Sequence, residues 1–281
     1  MTSEVMAWPP MRPYSARMAR PPVGELMKQW RVRRRRSQLD LSLDVGVSTR
    51  HLSFVETGRS RPSPELVLAV AHHLDVPLRD RNAMLLAAGY APRFSQASLD
   101  EPSMARIRMS VQRMLDIHDP YPGVVIDRQW NIVLANRAAS ALTANLPDHV
   151  TGPRPNVYRL CLHPDGLAAQ TLNFADWGGY LLGQLRRSAA TTGDPQLDVL
   201  LAEVSGYPNV RALGAGLGQE AGDEPPILVP VQLTTADGEL SMFTTLTTFG
   251  TPLDITVEEL AVELFFPADE ASETILRAAA G

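Results

Sequence analysis

The sequence predicts a two-domain chain of mixed class: five short helices first, then a larger α+β domain. Three observations carry this expectation. The chain has 281 residues, which suits one large domain or two ordinary ones. Residues 1–95 hold 15 Lys+Arg against 8 Asp+Glu, whereas the remainder holds 11 against 23. Helical periodicity fills residues 23–92, and strand-like texture begins only at residue 123. Such asymmetry of charge and pattern points to two domains with different partners.

The bulk numbers exclude several classes. Hydrophobic residues make up 44%, enough for real cores and against wholesale disorder. The single cysteine, Cys161, excludes an internal disulfide and a CxxC metal site, and suits a reducing cytoplasm. No run of 18 apolar residues occurs, so no membrane span is expected. Residues 1–22, rich in Pro and Arg, lack an apolar signal core. They read as a disordered tail, in which Met11 and Met18 are alternative starts.

The helices follow in order. The first begins near Val23, with Leu26, Trp30 and Val32 along one side. The run RRRR at 33–36 follows it. Ser37 can cap a second helix whose Leu41 and Val45 lie one turn apart. Gly46 supplies a turn at positive φ. Ser48 caps a third helix, with Leu52 and Val55 pointing inward, and Gly58 ends it. Ser63-Pro64 opens a fourth helix, carrying Leu66, Val70, Ala71 and Leu74 inward. Pro77 opens a fifth, with Met84, Leu85 and Ala88, and Gly89 to Pro92 closes the array. Residues 93–103 read as a linker. Residues 104–281 then give an amphipathic helix with Ile107, Val111, Met114, Leu115 and His118 on one side. GVVIDRQWNIVLAN at 123–136 reads as strand, turn, strand. Helices are expected near 136–146, 165–170, 173–190 and 195–205. GAGLGQEAGDEPP at 214–226 reads as a Gly-rich acidic loop. A hairpin turns at Ala236-Asp237-Gly238, and LAVELFF at 260–266 is a last strand.

One stretch carries chemistry. Gln38, Leu41, Ser42, Gly46 and Val47 have the spacing of two helices joined by a small-residue turn, with Leu52 and Val55 seating the second. That seating frees Thr49, Arg50 and Ser53 to face outward. GVSTRHLSFVETGRSRPS and RNAMLLAAGYAP, with DPYPGVVIDRQWNIVLANRAA, RLCLHPDGL and FGTPLDITVEELAVELFFPADE, resemble the XRE-family helix-turn-helix regulators of the MmyB-like subfamily. The resemblance covers nearly everything after residue 22. Arg36 departs from it, since relatives more often carry an apolar residue there. The resemblance implies a lambda-repressor-like domain at 23–92 that binds double-stranded DNA. It implies a PAS-like sensor at 104–281, an antiparallel sheet with helices over one face, for a fatty-acid-like molecule.

Roles then follow from position. Gln38, at a helix N-terminus, is suited to a phosphate. Arg50 can donate two hydrogen bonds to guanine. Ser48, Thr49 and Ser53 suit base edges or phosphate. Phe54 either touches a thymine methyl or packs the core. Arg59 and Arg61 suit phosphate, one or two of the four arginines at 33–36 can join them, and Arg12, Arg17 and Arg20 form a candidate minor-groove arm. In the second domain Trp130, Trp177, Leu181, Phe243, Thr245 and Thr247 are candidate ligand contacts. Each of them is also explained by core packing or strand propensity. On the strand 241–250 either alternate set, Met242 to Thr248 or Phe243 to Phe249, can line a pocket.

Catalysis finds little support: Cys161 and His163 lack an oxyanion loop or an orienting third group. The six histidines show no HxxxH or HxH spacing, so neither metal nor cofactor is expected. The reading is a DNA-binding transcription regulator and not an enzyme. It acts as a homodimer on a pseudo-palindromic site, under a ligand-binding sensor. Its rival keeps the DNA binding but makes the second domain a dimerisation or protein-interaction platform without a ligand.

Overall fold

The computed structural model describes residues 21–216, 229–250 and 252–279. The arm with Arg12, Arg17 and Arg20, the rest of the expected tail up to residue 20, and most of the loop expected at 214–226 lie outside the described residues. The chain divides into two units, Met1–Phe94 and Ser95–Gly281.

The first unit is helical: α1 (Val23–Arg33), α2 (Gln38–Asp44), α3 (Thr49–Glu56), α4 (Pro64–His73) and α5 (Leu78–Ala87). Its helix starts are set by serine caps. The side chains of Ser37, Ser48 and Ser63 accept the backbone N–H of Asp40, His51 and Leu66, satisfying donors that a helix leaves open. Gly46 sits at φ +71°, where a side chain would be strained. Met27, Leu41, Leu52, Val55, Val70, Leu74, Met84 and Leu85 form the core. The expected stripe on α1 is displaced by about one residue. Met27 and Gly24 are the buried positions, Leu26 and Trp30 flank the core, and Val32 is exposed. The cause is a close helix crossing: a Cβ on Gly24 would lie 2.2 Å from the carbonyl oxygen of Val55.

The stretch expected as a linker is tied down at both ends. The Asn82 side chain accepts the N–H of Arg93 and Phe94 at 2.9 and 3.1 Å. Ser95 pairs with Asp254, and Pro102–Met104 make a 3-10 turn with Met104 buried.

The second unit opens with α6 (Ala105–His118), then β1 (Gly123–Ile126) and β2 (Ile132–Ala135). Helices follow: α7 (Arg137–Thr143), α8 (Asp148–Thr151), α9 (Val157–Leu162), α10 (Phe174–Thr192), α11 (Pro195–Ser205) and α12 (Pro208–Gly216). The hairpin of β3 (Val231–Thr235) and β4 (Gly238–Thr248) comes next, then α13 (Ile255–Glu259), β5 (Ala261–Pro267) and α14 (Glu270–Ala278). The strands form one antiparallel sheet in the order β2-β1-β5-β4-β3. The last strand thus lies centrally between the two hairpins.

Residues paired across antiparallel strands share a face. Val124 pairs with Glu263, Thr244 with Phe265, and Val231 with Met242, so these side chains look the same way. Toward them pack α9, α10, α11 and α14, through Tyr158, Leu162, Trp177, Leu185, Leu200 and Leu276. The opposite face is not bare. Val111 and Leu115 of α6 bury against Val125 and Val262, so helices cover both faces rather than one. Met114, expected inward on α6, is exposed.

Candidate functional site

Two places in the molecule gather chemistry. The first is α3 with the loop after it. Leu52 and Val55 are buried beneath it, and this apolar underside turns Arg50 outward, where it is exposed. The Arg50 guanidinium lies 5.3 Å from the centre of the Phe54 ring, and that of Arg59 lies 5.9 Å from the same ring. Both arginines are therefore steered by one aromatic platform. Phe54 is half-buried and outside the core cluster, so it belongs to this face more than to the interior.

The other predicted contacts have intramolecular work. Ser48 spends its hydroxyl oxygen on the helix cap. The Thr49 hydroxyl is 2.9 Å from that of buried Ser42, joining α2 to α3. Ser53 is half-buried, and its carbonyl accepts the Thr57 hydroxyl. Arg61 donates to the carbonyl of Ala88 at 3.0 Å and lies over the Tyr90 ring at 4.8 Å. It fastens the end of α5 to the loop before α4.

Gln38 donates at 2.7 Å to Glu56, a buried carboxylate that sequence reasoning missed. Arg31 grips the same carboxylate with two hydrogen bonds of 2.6 and 2.8 Å. Burial pushes the Glu56 carboxyl upward, but the bonds from Arg31 and Gln38 outweigh it and hold it below its usual range. The arginine run is divided likewise. Arg34 donates to the carbonyls of Leu74 and Asp75 at the end of α4, a favourable place for a cation. Arg36 pairs with Asp44, just ahead of the Ser37 cap.

The second place is a cavity of about 230 Å³ inside the second unit. Its floor is the inward face of the sheet: Val124, Ile132, Ala135, Val231, Leu233, Met242, Glu263 and Phe265. Its walls come from Ala139, Leu142 and Thr143 of α7, Leu160 and Cys161 of α9, and Trp177 of α10. Of the six candidate ligand contacts, Trp177 lines it. Trp130 sits at φ +65° with its ring 5.0 Å from Tyr158, closing the β1–β2 turn onto α9. Leu181 is packed in the core. Phe243 stacks on Phe266 at 5.4 Å, and Thr245 and Thr247 are exposed. The strand register decides this: Met242 and Phe265 share the cavity face, so Phe243 and its alternates point away.

Glu263 is the acidic residue of the lining, which also carries the hydroxyls of Ser140, Thr143 and Thr151. It is buried, it receives a hydrogen bond from the Thr244 hydroxyl, and its Oε2 has no partner among the described residues. Burial pushes its carboxyl up to about 7, only partly offset by Thr244. The signal was present in the sequence as an acid in the middle of the apolar strand AVELFFP.

The Cys161–His163 pair does not form. Cys161 lies on α9 and faces the cavity, where burial pushes its thiol up to about 12; a thiol so protonated is a poor nucleophile. His163 follows the helix, with its ring 4.9 Å from Tyr207 and 5.3 Å from His149. Folding does gather His149, His163 and Asp165, their ligand atoms within 4.8 Å of one another, which sequence spacing could not reveal. Nδ1 of His163 already accepts the N–H of Asp165 at 3.0 Å, and His149 bonds Asp165 at 3.1 Å. Both nearest ligand atoms are thereby engaged within the cluster.

Residues 27–80 match a family described as helix-turn-helix, and residues 107–279 match the MmyB-like transcription regulator ligand binding domain. The latter spans more than half of the chain. The chain belongs to the MmyB-like transcription regulators. Its first unit is accordingly an XRE-type DNA-binding helix-turn-helix, and its second a ligand-binding domain of that family. No curated protein matches the MmyB-like chain. One solved structure, an RNA-binding Light-Oxygen-Voltage receptor, aligns over 94% of this chain and 62% of its own length. Its identity is 14% and its TM-score 0.29, a likeness too weak to bear on fold or function. Among the described residues no helix is long and apolar enough to cross a membrane.

Proposed function

We propose that this MmyB-like protein is a sequence-specific, cytoplasmic transcription regulator that binds DNA as a homodimer, with a PAS-like second unit as the sensor. Arg50 reads a base edge in the major groove, and Arg59 grips phosphate. The supporting observation is the exposed Arg50–Phe54–Arg59 platform on a helix whose underside is buried. The sensor's ligand is a small apolar molecule in the cavity, and a short fatty-acid-like chain is one class that such walls accept. Ligand binding that favours one dimer geometry would shift the spacing of the two recognition helices. The walls made by Ala139, Leu160 and Trp177 favour this over a ligand-free interaction platform.

The test begins by selecting the preferred site from random duplexes. Arg50→Ala is expected to cut affinity for that site about 10- to 100-fold while sparing random DNA, since a bidentate base contact is worth roughly 1–3 kcal/mol. Arg59→Ala is expected to weaken binding to all sequences and reduce the salt slope by about one. Equal losses on selected and random DNA for Arg50→Ala would remove it as the base reader.

A further inference from the structure

The cavity's chemistry narrows its ligand, and the narrowing rests on reading that cavity as the sensor's binding site. An apolar cavity of about 150 Å³ holds a benzene-sized molecule. By proportion, the 230 Å³ found here holds about nine heavy atoms. A long acyl chain would extend out of it, since the cavity is open on one side. The lining is mostly aliphatic and aromatic, with hydroxyls from Ser140, Thr143 and Thr151. Its acidic group is Glu263, whose Oε2 has no partner among the described residues. A buried acceptor left open is costly. A donor brought by the ligand would remove that cost.

None of the lining hydroxyls, those of Ser140, Thr143 and Thr151, donates to that oxygen. Thr244 of β4 already serves the carboxyl through its hydroxyl. Tyr158 and Cys161 of α9 are the titratable side chains that feel its charge, and burial holds both in their protonated, neutral forms. A ligand carboxylate placed here would set two acids against each other, and one of them would have to keep a proton. An ammonium would form a charge-assisted hydrogen bond, and a hydroxyl a neutral one.

We propose that the cavity takes an apolar molecule of about nine heavy atoms whose polar end donates a hydrogen bond, from an ammonium or a hydroxyl, to Oε2 of Glu263. Carboxylates are disfavoured occupants. While that carboxyl is ionised, the sensor thereby favours a medium-chain amine or alcohol over an acid.

Chain-matched probes test this on the full-length protein. Octylamine, octan-1-ol and octanoate are titrated calorimetrically at about pH 8.5, with thermal melting in parallel. Octylamine and octan-1-ol are expected to bind at least about tenfold more tightly than octanoate. Glu263→Gln, whose amide both accepts and donates, is expected to abolish the discrimination against octanoate. In the unmodified protein the octylamine-to-octanoate ratio is expected to fall toward one at about pH 5.5, where the carboxyl is protonated. This comparison needs no variant to fold. Octanoate binding as tightly as octylamine at the higher pH overturns the inference, as does a preference that survives Glu263→Gln. If Ala139→Phe, which fills the cavity, blocks that octanoate, the cavity reading survives without the donor rule. If none of the three probes gives heat or a melting shift, the cavity reading falls and the inference with it.

Discussion

Glu56 and Glu263 are both buried carboxylates, one in each unit, and they are treated in opposite ways. Glu56 is surrounded by donors: Arg31 holds both oxygens and Gln38 adds a third bond. Its acidity is thereby strengthened despite burial. Glu263 has one hydroxyl and an open oxygen, and burial prevails. Burial alone therefore says nothing about role. A buried charge with complete partners ties helices together, whereas one left incomplete in a cavity is chemistry kept for something else. The same contrast separates the arginines: Arg31, Arg34 and Arg61 are committed to the fold, while Arg50 and Arg59 lie over an aromatic platform.

The contrast can be broken most forcefully at Glu56. Glu56→Ala leaves the Arg31 guanidinium buried without its partner and is expected to destabilise the first unit by about 3–5 kcal/mol, seen as an early transition in thermal melting. The pH dependence has a definite sign. Because the folded carboxyl lies below its ordinary range near 4, its stabilisation is complete above that range and fades as pH falls through the folded value. A variant that melts like the parent at neutral pH would show the network to be ornamental.

Glu263→Gln should act the other way. Its folded carboxyl is raised to about 7, so the folded state binds a proton more readily than the unfolded chain. The burial penalty is absent below about pH 4, grows as pH rises through 7, and is full above it. Replacing the acid with the neutral amide is expected to stabilise the second unit by up to about 3 kcal/mol at pH 8.5, with no gain at about pH 4. Melting curves at the two pH values measure it. A gain independent of pH would mean the side chain is not the titrating group. The smallest effect belongs to Ser48→Ala: loss of the cap on α3 is expected to cost about 1 kcal/mol by chemical denaturation. A larger loss of DNA affinity than of stability would give Ser48 a direct contact as well.

Much of the first unit was legible because its boundaries are local chemistry. Ser37, Ser48 and Ser63 announce helix starts, and Gly46 a turn, through bonds made within a few residues. The α1 stripe was misplaced because Met27 owes its burial to a helix crossing set by Gly24, a distant packing fact. The alternating pattern of β4 was legible, but not which alternate set faced the helices. Among the ligand contacts only Trp177 was brought to the cavity, because large apolar residues serve core and pocket alike.

By itself the sequence determined the caps, the turn glycines, the order of elements and the family, since each depends on neighbours in the chain or on long matched motifs. Tertiary structure alone decided which arginines were spent on carbonyls and carboxylates, that Cys161 and His163 part company, and that Glu263 faces a cavity with an oxygen to spare. Those outcomes depend on groups tens to more than a hundred residues apart, and only packing and strand register bring such groups within bonding distance.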